Sequence, residues 1–294
     1  MNTIELCPGL EFSRIVQGFW RLTSWGMTVS ELERKLNECL DAGVTTFDSA
    51  EIYGLGTCEE ELGKALKQLP RNRYQIVSKT GITREVIDGK SFTYYDTSYS
   101  RIIASCKNSL RKLGCGYLDL YLIHREDPLI DHHETARALQ DLKKEGLIRE
   151  AGVSNFDPFK FEALNRCMDG TLRTNQIEWN PFCYEHFDSG MMDLLVRDRI
   201  HPMIWSPLAG GRIFSEDSPA AVRVRETLEK IAERHNSRIE TVIYSWIMMH
   251  PSKPIPIIGS RQTERLQNAI DALDLELEHS EWFEIYAASG KAIR

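Results

Sequence analysis

In Val44-Thr45-Thr46-Phe47-Asp48-Ser49-Ala50-Glu51-Ile52-Tyr53-Gly54 a β-branched run stops on an acid and reaches a phenol just before a glycine. Such a run reads as a buried strand with Asp48 at its exit and Tyr53 on the loop beyond, a pair able to transfer a proton. Taken singly, Asp48 fits a loop hydrogen-bonder equally well, and Tyr53 a packing aromatic. Later strands end in the same manner: Lys79 follows Ile76-Val77-Ser78, and His124 follows a run over 118–123. Ser154 with Asn155, Gln176 with Glu178, and Trp205 with Ser206 close three more. The chemistry this set suits is protonation of a developing alkoxide. A free phenol titrates near ~10, roughly three units too high for easy proton delivery at neutral pH. An ammonium beside it lowers that value, and Lys79 held by Asp48 would supply the field, each unit being about 1.4 kcal/mol. His124 could donate to a carbonyl oxygen, Trp205 offers a flat face for an aromatic ring, and Ser154, Asn155 and Gln176 suit a carboxamide. Each also has a plainer role: solvated strand end for Lys79, core histidine for His124, loop cap for Gln176, packing for Trp205. Together they argue for a site, because a lysine pointing into a barrel mouth is costly unless an acid such as Asp48 meets it.

The elements that must position these residues alternate along the chain. Two short runs around Pro8-Gly9 predict a hairpin, and residues 14–18 a further strand. Residues 30–40 place Leu32, Leu36, Cys39 and Leu40 on one helical face, with Gly43 closing the helix. Helices are then expected over 59–69, 96–113, 131–145, 158–168 and 187–197, and strands over 74–79, 118–123, 147–153, 172–177 and 201–205. Residues 219–249 read as two helices broken near Asn236-Ser237, followed by a strand over 254–258 and helices over 264–273 and 280–288. Eight strand-helix units without a linker predict an α/β fold, a closed (β/α)8 TIM barrel with an N-terminal β-hairpin and extra C-terminal helices. One domain is expected over residues 1–294. Residues 81–95 show no periodicity and read as a long polar and aromatic loop, and loops of that length usually have a function. Phe92 to Tyr95 within it could wall a substrate pocket.

A net charge of −7 with 42% hydrophobic residues marks a globular, mildly acidic chain large enough for a substantial core. That charge argues against nucleic acid as a partner. The seven cysteines form no CxxC pair, so neither a zinc site nor a disulfide scaffold is expected. His132-His133, with no Cys or carboxylate at ligand spacing, reads as a solvated pair. No signal-like segment and no run of about eighteen apolar residues is present, which predicts a cytoplasmic location without membrane association. Nothing marks an obligate interface, so a monomer or weak oligomer is expected. Gly54-Leu55-Gly56 begins like a dinucleotide fingerprint but lacks the third glycine.

The chain resembles the aldo-keto reductases over nearly its whole length. The resemblance rests on ordered motifs: Phe47-Asp48-Ser49-Ala50-Glu51-Ile52-Tyr53-Gly54, Ser78-Lys79, Leu122-Ile123-His124, Gly152-Val153-Ser154-Asn155-Phe156, Asn175-Gln176, Trp205-Ser206-Pro207-Leu208-Ala209-Gly210-Gly211 and Ile258-Gly259-Ser260-Arg261. It is most similar to a bacterial branch of cytosolic oxidoreductases with a short C-terminal tail. The resemblance implies a barrel that binds NADP(H) without a Rossmann fold, with Asp48, Tyr53, Lys79 and His124 as the catalytic tetrad. It also implies that Ser154, Asn155 and Gln176 hold the nicotinamide amide and that Trp205 stacks on its ring. Ser206, Pro207, Leu208, Gly210 and Gly211 would then follow the pyrophosphate, and Trp20 and Arg21 would lie near the nicotinamide ribose.

Cofactor preference can be argued from charge. Ile258-Gly259-Ser260-Arg261, followed by Arg265, brings backbone donors, a hydroxyl and two guanidinium groups to a predicted helix start, where a 2′-phosphate would fit. Arg261 at such a terminus is out of place electrostatically unless an anion compensates it. The chain departs from the family pattern at Asn268 and Ala269, where a Glu-Asn pair commonly holds adenine, and at Glu51 and Glu126 on the pocket rim. Little sequence follows the last expected helix, which predicts an open pocket and broad acceptance of carbonyl compounds. The favoured activity is NADPH-dependent reduction of small-molecule aldehydes or ketones with Tyr53 as general acid. An NADP(H)-binding sensor with little turnover is the alternative, and a Schiff-base lyase using Lys79 a third reading.

Overall fold

Pro8 and Gly9 turn the chain sharply, the glycine adopting a φ of +82° that proline-glycine turns require. The turn joins β1 (Thr3–Cys7) to β2 (Leu10–Ser13), antiparallel partners with Ile4 opposite Phe12. This geometry comes from a computed structural model, which describes residues 3–292. Eight parallel strands follow: β3 (Val16–Gly18), β4 (Thr46–Asp48), β5 (Gln75–Thr80), β8 (Leu118–Ile123), β9 (Ile148–Ser154), β10 (Leu172–Glu178), β11 (Met203–Trp205) and β12 (Ile255–Ile258). They pair in that order, and β12 returns to β3 through Ile257 opposite Val16, which closes the barrel. The expected architecture is therefore present.

Period-two alternation divides each strand between two cores. In β5, Ile76 packs outward in the layer between strands and helices, whereas Val77 faces the barrel interior. In β8, Tyr121 and Ile123 go outward, and Leu120 and Leu122 inward. The interior cluster also contains Val16, Met203 and Ile255, and it is completed by Ile4, Leu10 and Phe12 of the N-terminal hairpin. The hairpin therefore plugs the end of the barrel from which the strands start. Helices cover the outside. The helix Val29–Asp41 begins with a Thr28–Glu31 capping box and buries Leu32, Leu36, Cys39 and Leu40, the face its spacing predicted. Gly63 lets the helix Cys58–Leu66 approach its neighbour closely, since a Cβ there would stand 2.2 Å from the Lys112 carbonyl.

Two expected elements differ. Residues 81–95 are not a loop: β6 (Ile82–Ile87) and β7 (Lys90–Tyr95) form an antiparallel hairpin that leaves the barrel after β5. Its outer residues are largely exposed, so there was no buried face to impose an apolar alternation on the sequence. The single helix expected over 187–197 is two, Glu185–Asp188 and Met191–Arg197, separated at Gly190 with φ +80°. The sequence end, on which the open-pocket expectation partly rested, lies outside the described residues.

Candidate active site

Asp48 ends β4, Lys79 is the penultimate residue of β5, and His124 follows β8, so three adjacent strands deliver them to one end of the barrel. Tyr53 opens the short helical turn Tyr53–Gly56 beyond β4. Lys79 is completely buried, and its ammonium donates to Asp48 Oδ1 at 2.7 Å, to the Ser49 carbonyl at 2.8 Å and to the Tyr53 hydroxyl oxygen at 3.0 Å. These three bonds use every proton the ammonium has. Because the Tyr53 oxygen accepts from Lys79, the phenolic proton is directed elsewhere. The second oxygen of Asp48 accepts from Gln176 Nε2 at 2.9 Å, so the network reaches across the barrel to β10. The His124 ring meets the Tyr53 ring edge-on with centroids 5.6 Å apart, and its Nδ1 is buried without a partner among the described residues.

Burial sets the direction in which each of these groups titrates. It raises the Tyr53 phenol above its ordinary value, and the opposing pull of the Lys79 ammonium does not cancel it. Lys79 pulls the phenol down, as expected, but desolvation is the larger influence and Asp48 adds to it, so the net direction is upward. Burial also works against charge on Lys79, but Asp48 and Tyr53 outweigh it and the ammonium titrates above its usual range. His124 is held well below the ordinary histidine range by burial and by the positive fields of Lys79 and Arg125. At neutral pH the site is a neutral phenol, a protonated lysine and a neutral imidazole.

A cavity of about 1070 Å³ opens above this network. Asp48, Tyr53 and His124 line it, and Lys79 lies behind them. Of the residues expected to hold a cofactor, Trp20, Arg21, Ser154, Asn155, Gln176, Trp205, Ser206, Pro207, Leu208, Gly210, Gly211, Ile258, Gly259, Ser260 and Arg265 all face it. Arg261 and Asn268 do not. Arg261 is exposed, and its Nη1 donates to the Trp25 carbonyl at 3.0 Å. Asn268 is buried, and its carbonyl accepts from Thr241. Phe92 to Tyr95 also lie away from the cavity; from this hairpin it is Ile82 that lines it.

The residues expected to hold a carboxamide are already joined to one another. Trp205 Nε1 donates to Asn155 Oδ1 at 2.9 Å, Asn155 Nδ2 donates to Ser154 Oγ at 2.7 Å and to the His124 carbonyl at 3.2 Å, and Ser154 Oγ donates to the Gln176 carbonyl at 2.8 Å. Asn155 adopts a left-handed backbone with φ +59°, as does Ser206 with φ +49°. Strain of this kind concentrates at functional sites. The residues fit a dinucleotide on three structural observations. Gly211 and Gly259 present bare backbone, with no atom within 4 Å of where a Cβ would stand. Trp205 shows a half-exposed face. Arg21 and Arg265 reach the cavity without a carboxylate within 4.0 Å among the described residues. Gln17, buried beneath, donates to the carbonyls of Ile258 and Ser260 and fixes the loop after β12.

Two rim acids have structural partners. Glu51 accepts from Thr80 and from the Gly81 amide, each at 3.1 Å, pairs with Arg101 at 3.0 Å and bonds Ser105, which anchors the base of the β6–β7 hairpin. Glu126 pairs with Lys160 at 2.5 Å. Among the lining residues not singled out from sequence are Ile52, Leu55, Ile82, Arg125, Phe214 and Glu240. Arg125 had a readable signal, since it directly follows a strand-end histidine; Phe214 and Glu240 come from helices that carry no motif.

Comparison with known proteins agrees with this fold. Residues 14–289 match the sequence model of the Aldo/keto reductase family. Oxidoreductase YdhF of Escherichia coli is 43% identical, the match covering 98% of each chain. A 6-dehydroglucose reductase of Agrobacterium fabrum is 39% identical over the full length of both. Among solved structures, an aldo/keto reductase from Klebsiella pneumoniae in complex with NADP and acetate superposes with a TM-score of 0.82 at 25% identity, covering 100% of this chain and 97% of that one.

Proposed function

The chain belongs to the aldo/keto reductase family, and from that premise we propose that it reduces aldehydes or ketones to alcohols with NADPH, Tyr53 being the general acid. The observation that carries this reading is the buried Lys79 ammonium, bonded at once to Asp48 and to the Tyr53 oxygen beneath a cavity with room for both a dinucleotide and a small substrate. NADPH, when bound, supplies the hydride for the carbonyl carbon. The protein's part is to hold the carbonyl and to deliver a proton. A phenol whose pKa is raised by burial is fully protonated at neutral pH, the form a general acid needs. As the proton leaves, the phenolate oxygen stays 3.0 Å from an ammonium that is already in place, so no reorganisation is needed at that moment. Neutral His124 can donate a hydrogen bond to the same carbonyl oxygen without adding charge.

Ser154, Asn155 and Gln176 hold the carboxamide in this reading, and Trp205 covers the ring face. Arg265 with Ser260 takes the 2′-phosphate, and Arg261 stands outside the cavity lining. The Klebsiella pneumoniae relative, which contains NADP, supports this choice of cofactor, and the Agrobacterium fabrum relative named 6-dehydroglucose reductase supports reduction of a carbonyl. Lys79 is unsuited to Schiff-base chemistry, since Asp48 keeps it protonated.

The test follows NADPH oxidation with an activated aromatic aldehyde, wild type beside Tyr53→Phe and NADPH beside NADH. Turnover should fall by about 10²- to 10⁴-fold with loss of the hydroxyl. Undiminished turnover by Tyr53→Phe would remove the general acid from the mechanism. Tight NADPH binding with no reduction across a wide panel of carbonyls would favour the sensor.

A further inference from the structure

We propose that Arg125 is an anion-binding residue at the catalytic end of the cavity, and that the carbonyl compound reduced here carries a carboxylate. This rests on the reductase reading above. The cavity wall holds three guanidinium groups, Arg21, Arg125 and Arg265, in a protein whose net charge is −7. Two of them lie with the cofactor wall: a Cβ on Gly210 would stand 3.8 Å from Arg21, and Arg265 acts with Glu240 on Tyr244 at the far end. Arg125 is the cation left at the catalytic end, where its field reaches both Tyr53 and His124.

The acids around it are already engaged. Asp48 is saturated by Lys79 and Gln176, Glu51 by Arg101, Glu126 by Lys160, and Asp127 by the Thr97 amide and hydroxyl. Among the described residues Arg125 has no carboxylate within 4.0 Å, and its one noted contact is the Trp205 ring, 5.8 Å from guanidinium carbon to centroid. That distance is near the outer limit at which a cation and a ring still attract. A half-buried guanidinium held this loosely keeps its donors for a ligand, and its planar fork matches a carboxylate. The remaining wall at this end, Ile52, Leu55 and Ile82, suits an apolar or aromatic body between the carbonyl and the acid.

The experiment uses the full-length protein with NADP⁺ and compares para-(hydroxymethyl)benzoate with its uncharged counterpart para-(hydroxymethyl)benzamide. Binding is read from tryptophan fluorescence, because Trp20 and Trp205 line the cavity. The benzoate should bind about tenfold or more tightly. That advantage should vanish in Arg125→Met and return in part in Arg125→Lys. Equal affinity for the two ligands in the wild type, or an advantage that survives in Arg125→Met, would overturn the assignment. So would a parallel loss of NADP⁺ affinity in Arg125→Met, which would give the guanidinium to the cofactor. Turnover of the corresponding aldehydes tests the reductase reading separately. If neither aldehyde is reduced while the benzoate preference persists, that reading fails and the anion site stands.

Discussion

The two ends of the barrel interior are built from the same strands and differ completely in chemistry. At one end Val16, Val77, Met203 and Ile255 meet Leu10 and Phe12 of the plugging hairpin in a dry apolar cluster. At the other, Asp48, Lys79 and Gln176 form an ionic network with no exposed charge. In β5 the change takes one strand period, from Val77 to Lys79 on the same face. The apolar end tolerates changes of side chain that conserve volume, because burial is its only requirement. The ionic end has no such latitude, since each member satisfies another.

Breaking the ionic end should have the largest effect. Lys79→Met leaves Asp48 buried without its cation, which costs about 3–5 kcal/mol of stability, and lowers kcat/KM by about 10²-fold or more. Denaturant melts and steady-state rates check both. A stable, active Lys79→Met would end the distinction between the two ends. Phe12→Ala at the apolar end should cost about 3–5 kcal/mol through the cavity it leaves, with kcat/KM unchanged under folded conditions. A rate that fell with Phe12→Ala would show that the two ends are coupled. Next comes Arg265→Ala, which should shrink the preference for NADPH over NADH by roughly tenfold, read from the two Kd values. The smallest effect is the pH response. Burial depresses His124 at the ionic end and also His201 and His250, the last, packed against Trp179 and Phe187 of the outer layer, to about 4. A neutral buried histidine contributes stability that is fully present above the ordinary value of 6.5 and is lost as pH falls through the depressed value. The Tm should therefore be level above pH 6.5 and decline below it; a flat profile down to pH 4 would contradict the burial of these imidazoles.

The ionic end was the more legible in sequence, because charge at a strand exit is a rare and costly arrangement. Asp48, Lys79, His124 and Gln176 stood out on that ground, and the alternation around them gave the barrel. The β6–β7 hairpin was not legible, because both its faces are largely solvated and alternation needs one buried face. Arg261 lies outside the cavity lining for a different reason: its Nη1 donates to the Trp25 carbonyl, a backbone atom remote in sequence, and no side-chain pattern encodes such a bond. Arg125 carried a signal in its place after His124 but was not weighed, because guanidinium groups on surfaces are common. It became informative only once Glu51, Glu126 and Asp127 were seen to be engaged elsewhere.

Lys79 has a further consequence under the proposed mechanism. Each turnover takes one proton from Tyr53, and that proton must be resupplied. The ammonium has no exposed surface, and of the groups it bonds, Asp48 and Tyr53 line the cavity, so the network meets solvent on the cavity side. Resupply has to come through the cavity mouth, the space the alcohol occupies until it leaves. Proton, substrate and product thus share one doorway.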